Sequence, residues 1–546
     1  MRGEISHYRF VPGGLCADQE TGMRIARPLA GRCVRRESGQ VTTRMLLRIR
    51  MDSSTNTRRD FLRRIGGAAG ILAISNSRGR SADDSQSPGG SSAVVQEKPR
   101  ETPVVHKCDI CIVGGSCTGV FAAIRAARLG ASVALIENNG FFGGVATAAK
   151  VNIWHSRYDT TGEKEIIGGL TVELIERLVR RDSARIYERS NPSRYAVFNS
   201  AEMVMEVDRM VCEHRRIRPF LHALFVDGVV EDGRMTHAII EDKSGRRAIR
   251  ARYFVDATGD ADVLTRISLP VRKDNVLQPP TMCALVSGLA GLHKANPGFD
   301  LAKAIYDKER FPEALNHGFV WTAESVAFPD VTMIAGTRVW GADCSDADQL
   351  TKASIEGRRQ VRAIRDILHD GFKAGEHVAV GALPARIGVR ETRHAVCQYL
   401  LKEREVLEGL RFDDAIANGS YRVDVHHPDR EGLTFRYLNG REVYVVPGKK
   451  REERRWREKR DVSPTFYQVP YRSIVPKGSH NVLCAGRMVD ADRGAFGAVR
   501  VMVNCNQMGE AAGVASCLAL EAGSGVAEID PSRLRRALAE GGSVTL

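Results

Sequence analysis

The run "CDICIVGGSCTGVFAAIRAARLGASVALIENNG", beginning at Cys108, constrains the fold more than any other stretch of this chain. Cys108 to Val113 reads as a buried strand, glycines follow at 114, 115 and 119, and an alanine-rich helix is expected from Val120 to Leu129. A second strand over Ala131 to Ile136 ends on Glu137, eighteen residues past the last glycine. Strand, glycine turn, helix and strand closed by an acid is an arrangement that receives a dinucleotide. Gly114 permits the tight turn and Gly119 lets the helix pack close to the strand. The helix N-terminal amides then face the pyrophosphate, and Glu137 accepts ribose hydroxyls. The pattern departs at one place, because Ser116 stands where the middle glycine falls. Gly115 and a side chain as small as Ser116 still let backbone approach phosphate.

Three further segments decide between dinucleotides. "GFFGGVATAA" carries Gly143 and Gly144 just after Glu137, and "ARYFVDATGDADV" runs a strand into Asp256, Thr258, Gly259 and Asp260. Near the C-terminus a strand precedes Gly486 and Arg487, and a helix N-terminus is expected around Gly509, Ala512 and Gly513. In this order the segments resemble the FAD-dependent oxidoreductase family related to the succinate dehydrogenase and fumarate reductase flavoproteins, over about residues 107 to 520. The resemblance implies that FAD is the cofactor, with its pyrophosphate on the first glycine turn and the "DATGD" turn against the dinucleotide. The "GR" and "GxAAG" segments would then reach the flavin ring and its ribityl chain. It implies an α/β protein: a Rossmann-like FAD domain of the glutathione-reductase and succinate-dehydrogenase type from 104–270 and 465–525, an inserted α+β substrate domain at 271–464, and a tail at 526–546.

Flavin chemistry moves a hydride, so the protein must hold a substrate carbon at the ring and handle a proton. His near neutral pH and Arg for an anionic or polar substrate are the residue types suited to this. Two clusters offer both, "RIGVRETRHAVCQYLL" from Arg386 and "GSYRVDVHHPD" from Gly419. The resemblance sets these segments over the flavin face. Arg390 and Arg393 are therefore expected as substrate or flavin-edge contacts, His394 and His426 as proton handlers, and Asp424 as the group that orients an imidazole. The competing reading makes Arg390, Glu391 and Arg393 a buried ion-pair network, and His426 and His427 ordinary loop residues. His155, in "VNIWHS", is weighed as a point of covalent flavin attachment, as happens to a His in some relatives; nothing in the residues favours it. The expected activity is oxidation or reduction of a small polar organic molecule, a sugar derivative or organic acid, with a separate electron acceptor closing the cycle. The alternatives are a C=C reductase in which Arg donates the proton, and a flavin module that relays electrons without its own substrate.

The N-terminal hundred residues read differently. Thr57 to Arg63, followed by the apolar run "IGGAAGILAI", resembles a twin-arginine export signal, and that run is too short to span a bilayer stably. A signal at 51–82, a disordered linker at 83–103, periplasmic or secreted localisation and contact with the export machinery are expected. Residues 1–50 then read as a non-translated or disordered extension, with Met51 or Met45 as the start. Charge agrees. The chain is +14 overall, but residues 1–50 carry ten Arg against four acids and residues 51–82 six against two, leaving +4 for the rest. Nucleic acid is thereby set aside as a partner, and no later segment is long and apolar enough for a membrane span. The basic stretch "KKREERRWREKR" from Lys449 mixes signs, which reads as a solvated helix or loop first and a docking patch second. Of twelve cysteines, Cys16 and Cys33 lie in the leader, Cys108 and Cys111 suit a buried strand, and Cys117 sits in the phosphate turn. None joins His at zinc spacing, so no metal is expected.

Overall fold

The structure, a computed structural model, describes residues 94–187, 195–316, 318–427, 430–447 and 449–546. The expected extension and twin-arginine segment, with Cys16 and Cys33, lie outside the described residues. Of the expected linker, 94–103 is described, without regular structure and almost wholly exposed.

Five short strands form a parallel sheet: β1 (Ile110–Val113), β2 (Val133–Ile136), β3 (Ile217–Phe220), β4 (Tyr253–Asp256) and β5 (Val482–Cys484). Their spatial order is β5, β4, β1, β2, β3, and every neighbouring pair runs parallel. All residues of β1, β2 and β4 are buried, as expected of parallel strands covered on both faces. Helix α1 (Cys117–Arg128) connects β1 to β2. The chain leaves β1 toward β2 and β3 and later returns to the other side for β4 and β5. The strand order therefore reverses between β1 and β4, which opens a crevice beyond their carboxyl ends. The α/β expectation is met. Its boundaries shift: Cys108 falls before β1, and α1 starts at Cys117 rather than Val120.

Beside this sheet lies an antiparallel meander, Leu224–Glu231, Arg234–Asp242 and Gly245–Arg250, to which Val104–Lys107 adds in parallel. Farther along, strands Trp321–Glu324, Val331–Ala335, Ala284–Ser287 and Ala379–Ala382 make a second sheet in that order. Helix Ala347–Gly371 supplies Val361, Ile364 and Leu368 to the core shared with it. A third sheet is the meander Val423–His426, Leu433–Arg436, Arg441–Val445 and Glu452–Arg455. Its last strand, Glu452–Arg455, lies within the basic run, so those four residues form an exposed edge strand while the rest of the run is loop. Charges of both signs on an edge discourage pairing with another chain. The 282–387 region has a core of its own, whereas residues from Ala395 to Tyr471 join the core of the parallel sheet. The expected insert is thus tied to the dinucleotide half through its second part. In the expected tail, helix Pro531–Glu540 packs Leu534 and Leu538 into that same core.

Candidate active site

The crevice at the strand reversal gathers most of the glycine segments. Gly114 has φ +106°, and a side chain there would collide with the carbonyl of Ala257 after β4. The "DATGD" turn can therefore close on the first glycine turn only because that position is glycine. A Cβ at Gly119 would strike Gly114 O, so the helix start is locked onto the turn. Ser116 bridges to Gly143, and the amide of Gly143 donates to Gly115 O at 2.9 Å. Gly144 packs on Ser116, and Gly486, φ +116°, lies against Thr118 and Met488. Helix α1 begins at Ser116 with no side-chain cap and no acid in its first turn. Uncapped amides at a helix N-terminus beside a glycine turn are a ready anion site. These residues fit an FAD pyrophosphate. Glu137 accepts from Gly115 N at 2.7 Å and from Asn139 N at 2.7 Å, which holds its carboxylate at the turn.

Several expected contacts have other duties. The helix at the C-terminal "GxAAG" segment is α2, Met502–Ala522, so Gly509, Ala512 and Gly513 lie in its interior and not at its N-terminus. Side chains at Gly509 and Gly513 would strike the carbonyls of Thr118 and Ala122, so the spacing serves close packing of α2 on α1. Asp256 is fully buried, and its carboxylate receives Thr258 N, Thr258 Oγ1, Val263 N and Leu264 N. It caps the short helix after the turn, and burial raises its pKa to about 6. Arg487 donates to Gly259 O and Asp260, and Thr392 Oγ1 donates to the same Asp260 carboxylate. Arg393 reaches Asp260 O at 2.7 Å, Asp262 at 2.8 Å and Ser345 O at 3.1 Å. Arg393 and Arg487 therefore brace the turn against the substrate half. His394 is 1% exposed, with Nδ1 3.3 Å from Val489 O, Nε2 3.3 Å from Glu391, and its ring edge on Phe496. Protein acceptors thus lie 3.3 Å from both nitrogens of His394, which is enclosed in the core.

The remaining candidates meet in one chamber. Asp424 and His426 alternate onto the same face of their strand, with Oδ1 of Asp424 3.4 Å from Nε2 of His426. Tyr421 Oη donates to Asp424 Oδ2 at 3.0 Å, and Arg500 lies 3.5 Å from that oxygen. The ring of His155 stacks on Tyr421 with centroids 4.1 Å apart. Arg390 and Arg338 both donate to Thr281 Oγ1, at 2.5 and 2.9 Å. Arg390, Tyr421 and His155 are each only partly buried. His427 turns to the opposite face, with Nε2 2.7 Å from Thr434 Oγ1. The segment from Gly143 to His155 joins this chamber to the cradle: the amide of Arg386 donates to Ala148 O, and Gly388 abuts Ala149.

Charge in the chamber is lopsided. Burial, then Arg390, Arg338 and Arg500, push the His426 imidazole well below its ordinary range. Burial and Arg422 push His155 down to about 3. Both rings are therefore held neutral at pH 7. Arg390 is itself driven well below the guanidinium range by burial and by Arg338 and Arg500. Sequence reading missed Arg338, Arg500, Tyr421, Thr281 and Gln278. The signal for the two arginines was present: each is a lone charge in an apolar run, "VTMIAGTRVW" and "AFGAVRVMV". Among the described residues no cluster of three or more His, Cys, Asp or Glu is placed to hold a metal ion, and no helix is long and apolar enough to cross a membrane.

Residues 109–538 match a family model described as FAD dependent oxidoreductase. No curated protein matches the chain. Among solved structures, p-nitrophenol 4-monooxygenase PnpA from Pseudomonas putida DLL-E4 is 12% identical, aligning 80% of this chain with 94% of that one at a TM-score of 0.38. A geranylgeranyl bacteriochlorophyll reductase-like protein from Thermoplasma acidophilum is 10% identical over 80% of this chain and 83% of that one, with a TM-score of 0.39.

Proposed function

The chain belongs to the FAD-dependent oxidoreductase family, and from that premise we propose that it transfers a hydride between FAD and a small polar organic molecule, a sugar derivative or organic acid. The observation that carries this reading is the Asp424–His426 pair, 3.4 Å apart, in a chamber joined by the Gly143–His155 segment to the dinucleotide cradle. Bound FAD supplies the two-electron exchange. Gly114, Gly115, Ser116, Gly143 and Gly144 would hold its phosphates by backbone, and Glu137 its ribose. His426 exchanges a proton with the substrate. Asp424, with Oδ1 3.4 Å from Nε2, balances the charge that the imidazole gains. Arg390 and Arg338, tied to one Thr281 hydroxyl, orient the polar end of the substrate. Anaerobic mixing with a panel of hydroxy acids and sugars tests the proposal. A member of the panel should bleach the flavin absorbance of the wild type and not of His426→Gln. Bleaching that survives the substitution counts against the assignment of His426.

A second reading rests on Arg390. A guanidinium pushed far down by burial and two like charges is a plausible donor of a proton to an activated C=C bond. Reoxidation of the reduced enzyme by alkenoic acids, lost in Arg390→Gln, would select it.

Export through the twin-arginine route is part of the proposal, supported by the Thr57–Arg63 pattern and the apolar run after it. Residues 51–82 fused to a reporter should carry it out of the cytoplasm, and replacement of Arg58 and Arg59 by Lys should stop it.

A further inference from the structure

Arg338 is 2% exposed and only part of its guanidinium is satisfied. Nη1 donates to Thr281 Oγ1 at 2.9 Å and to Thr337 O at 2.5 Å, and the main chain of Arg338 is clamped on both sides by the Gln360 amide. Nε and Nη2 find no hydrogen-bond partner among the described residues. These two N–H groups lie side by side on one edge of the planar guanidinium. Their spacing matches the two oxygens of a carboxylate, the bidentate match that a lysine cannot make.

The surroundings add to this. Arg390 shares Thr281 with Arg338, and Arg500, close enough to perturb both, leaves its own Nε without a partner. Against three guanidiniums stands the carboxylate of Asp424, whose Oδ2 is engaged with Tyr421 and Arg500 and whose Oδ1, 3.4 Å from His426 Nε2, has no hydrogen-bond partner among the described residues. Both nearby imidazoles are neutral, so they neither add to the excess nor offset it. The amide of Gln278, whose Oε1 accepts from His426 N, has its Nε2 unpaired as well. Buried donors without acceptors are costly, and buried charge more so. Such a set persists where a ligand completes it. The pyrophosphate of the dinucleotide is not that ligand, because its expected place is among the uncapped amides of α1.

We propose that the chamber anchors a substrate carboxylate on the side-on edge of Arg338, with Arg390 and Arg500 completing its recognition, so that the substrate is a small organic acid. The inference rests on the oxidoreductase reading and narrows its substrate to one of the two classes. Arg338 reads the carboxylate, while the proton chemistry remains with His426 and Asp424.

The FAD-loaded protein is titrated with glycolate, lactate, succinate and glutarate, with their primary amides, and with inorganic phosphate. Binding is read by calorimetry and by perturbation of the visible flavin band. At least one acid should bind, and its amide about tenfold or more weakly, the effect of losing a charge-assisted pair. Arg338→Gln should lose about the same factor, and Arg338→Lys should not restore it. The comparison of acid with amide uses wild-type protein, so it stands even if the variants fold poorly. Equal affinity for acid and amide, no affinity for any of the four acids, phosphate binding tighter than all of them, or unaltered acid binding by folded Arg338→Gln each overturns the inference. Calorimetry needs no flavin. A colourless protein that still prefers acids sinks the flavin reading alone, and a yellow one indifferent to them sinks this inference alone.

Discussion

Oδ1 of Asp424 lies 3.4 Å from Nε2 of His426, two residues along the same strand, with Tyr421 and Arg500 on the other carboxylate oxygen. Alternation along a strand puts the two side chains on one face, near enough to Arg390 for its charge to act on His426. If His426 is the proton acceptor, His426→Gln should slow flavin reduction by about a hundredfold or more. Asp424→Asn should slow it less, because the ring remains and only its orientation and charge balance are lost. Stopped-flow absorbance at the flavin band measures both.

The pH dependence follows from the surroundings of His426. Burial and three arginines hold its pKa well below 6.5, so the neutral base persists as pH falls. The acid limb of kcat/KM should therefore lie well below pH 6.5. In Arg390→Gln one of the cations holding the ring neutral is gone, and the limb should move upward. A limb at the ordinary histidine value in the wild type would remove His426 as the base.

His155 makes the fold acid-sensitive. In the unfolded chain it takes up a proton near pH 6.5, whereas burial and Arg422 hold it neutral to about 3 in the fold. Between those values the unfolded state binds more protons, so stability falls as pH drops through the window, by up to about 1.4 kcal/mol per pH unit. His155→Phe keeps a ring against Tyr421 and removes the titration. Urea midpoints between pH 6 and pH 4 should depend less steeply on pH in the variant.

Gly513 separates packing from cofactor binding. A methyl group there would strike the Ala122 carbonyl, and overpacking of this kind typically costs about 1–3 kcal/mol. Gly513→Ala should lower the denaturation midpoint while the folded fraction keeps its affinity for FAD. A variant of unchanged stability that loses FAD would return Gly513 to the cradle.

The first dinucleotide unit was legible because it is local. Gly114, Gly119 and Glu137 act within one strand, turn, helix and strand, and hydrophobic period together with glycine spacing specifies all of it. The same local logic misled at Gly509 and Gly513. A glycine pattern does not say whether backbone approaches a ligand or another helix, and α2 had already begun at Met502. His394 shows a related limit: an imidazole beside two arginines looks reactive in a string, and only the fold sets Val489 and Glu391 at its nitrogens and Phe496 against its ring.

The amino-acid sequence by itself determined the class of fold, the site of the dinucleotide turn and the spacing that lets Asp424 meet His426, since each depends on residues a few positions apart. Tertiary structure alone added Arg338 and Arg500 to Arg390. Arg338, Arg390 and Arg500 come from segments more than fifty residues apart, and their charges couple only once folding removes the water between them. A guanidinium edge left without an acceptor is a property of that enclosed space, and no single stretch of the chain contains it.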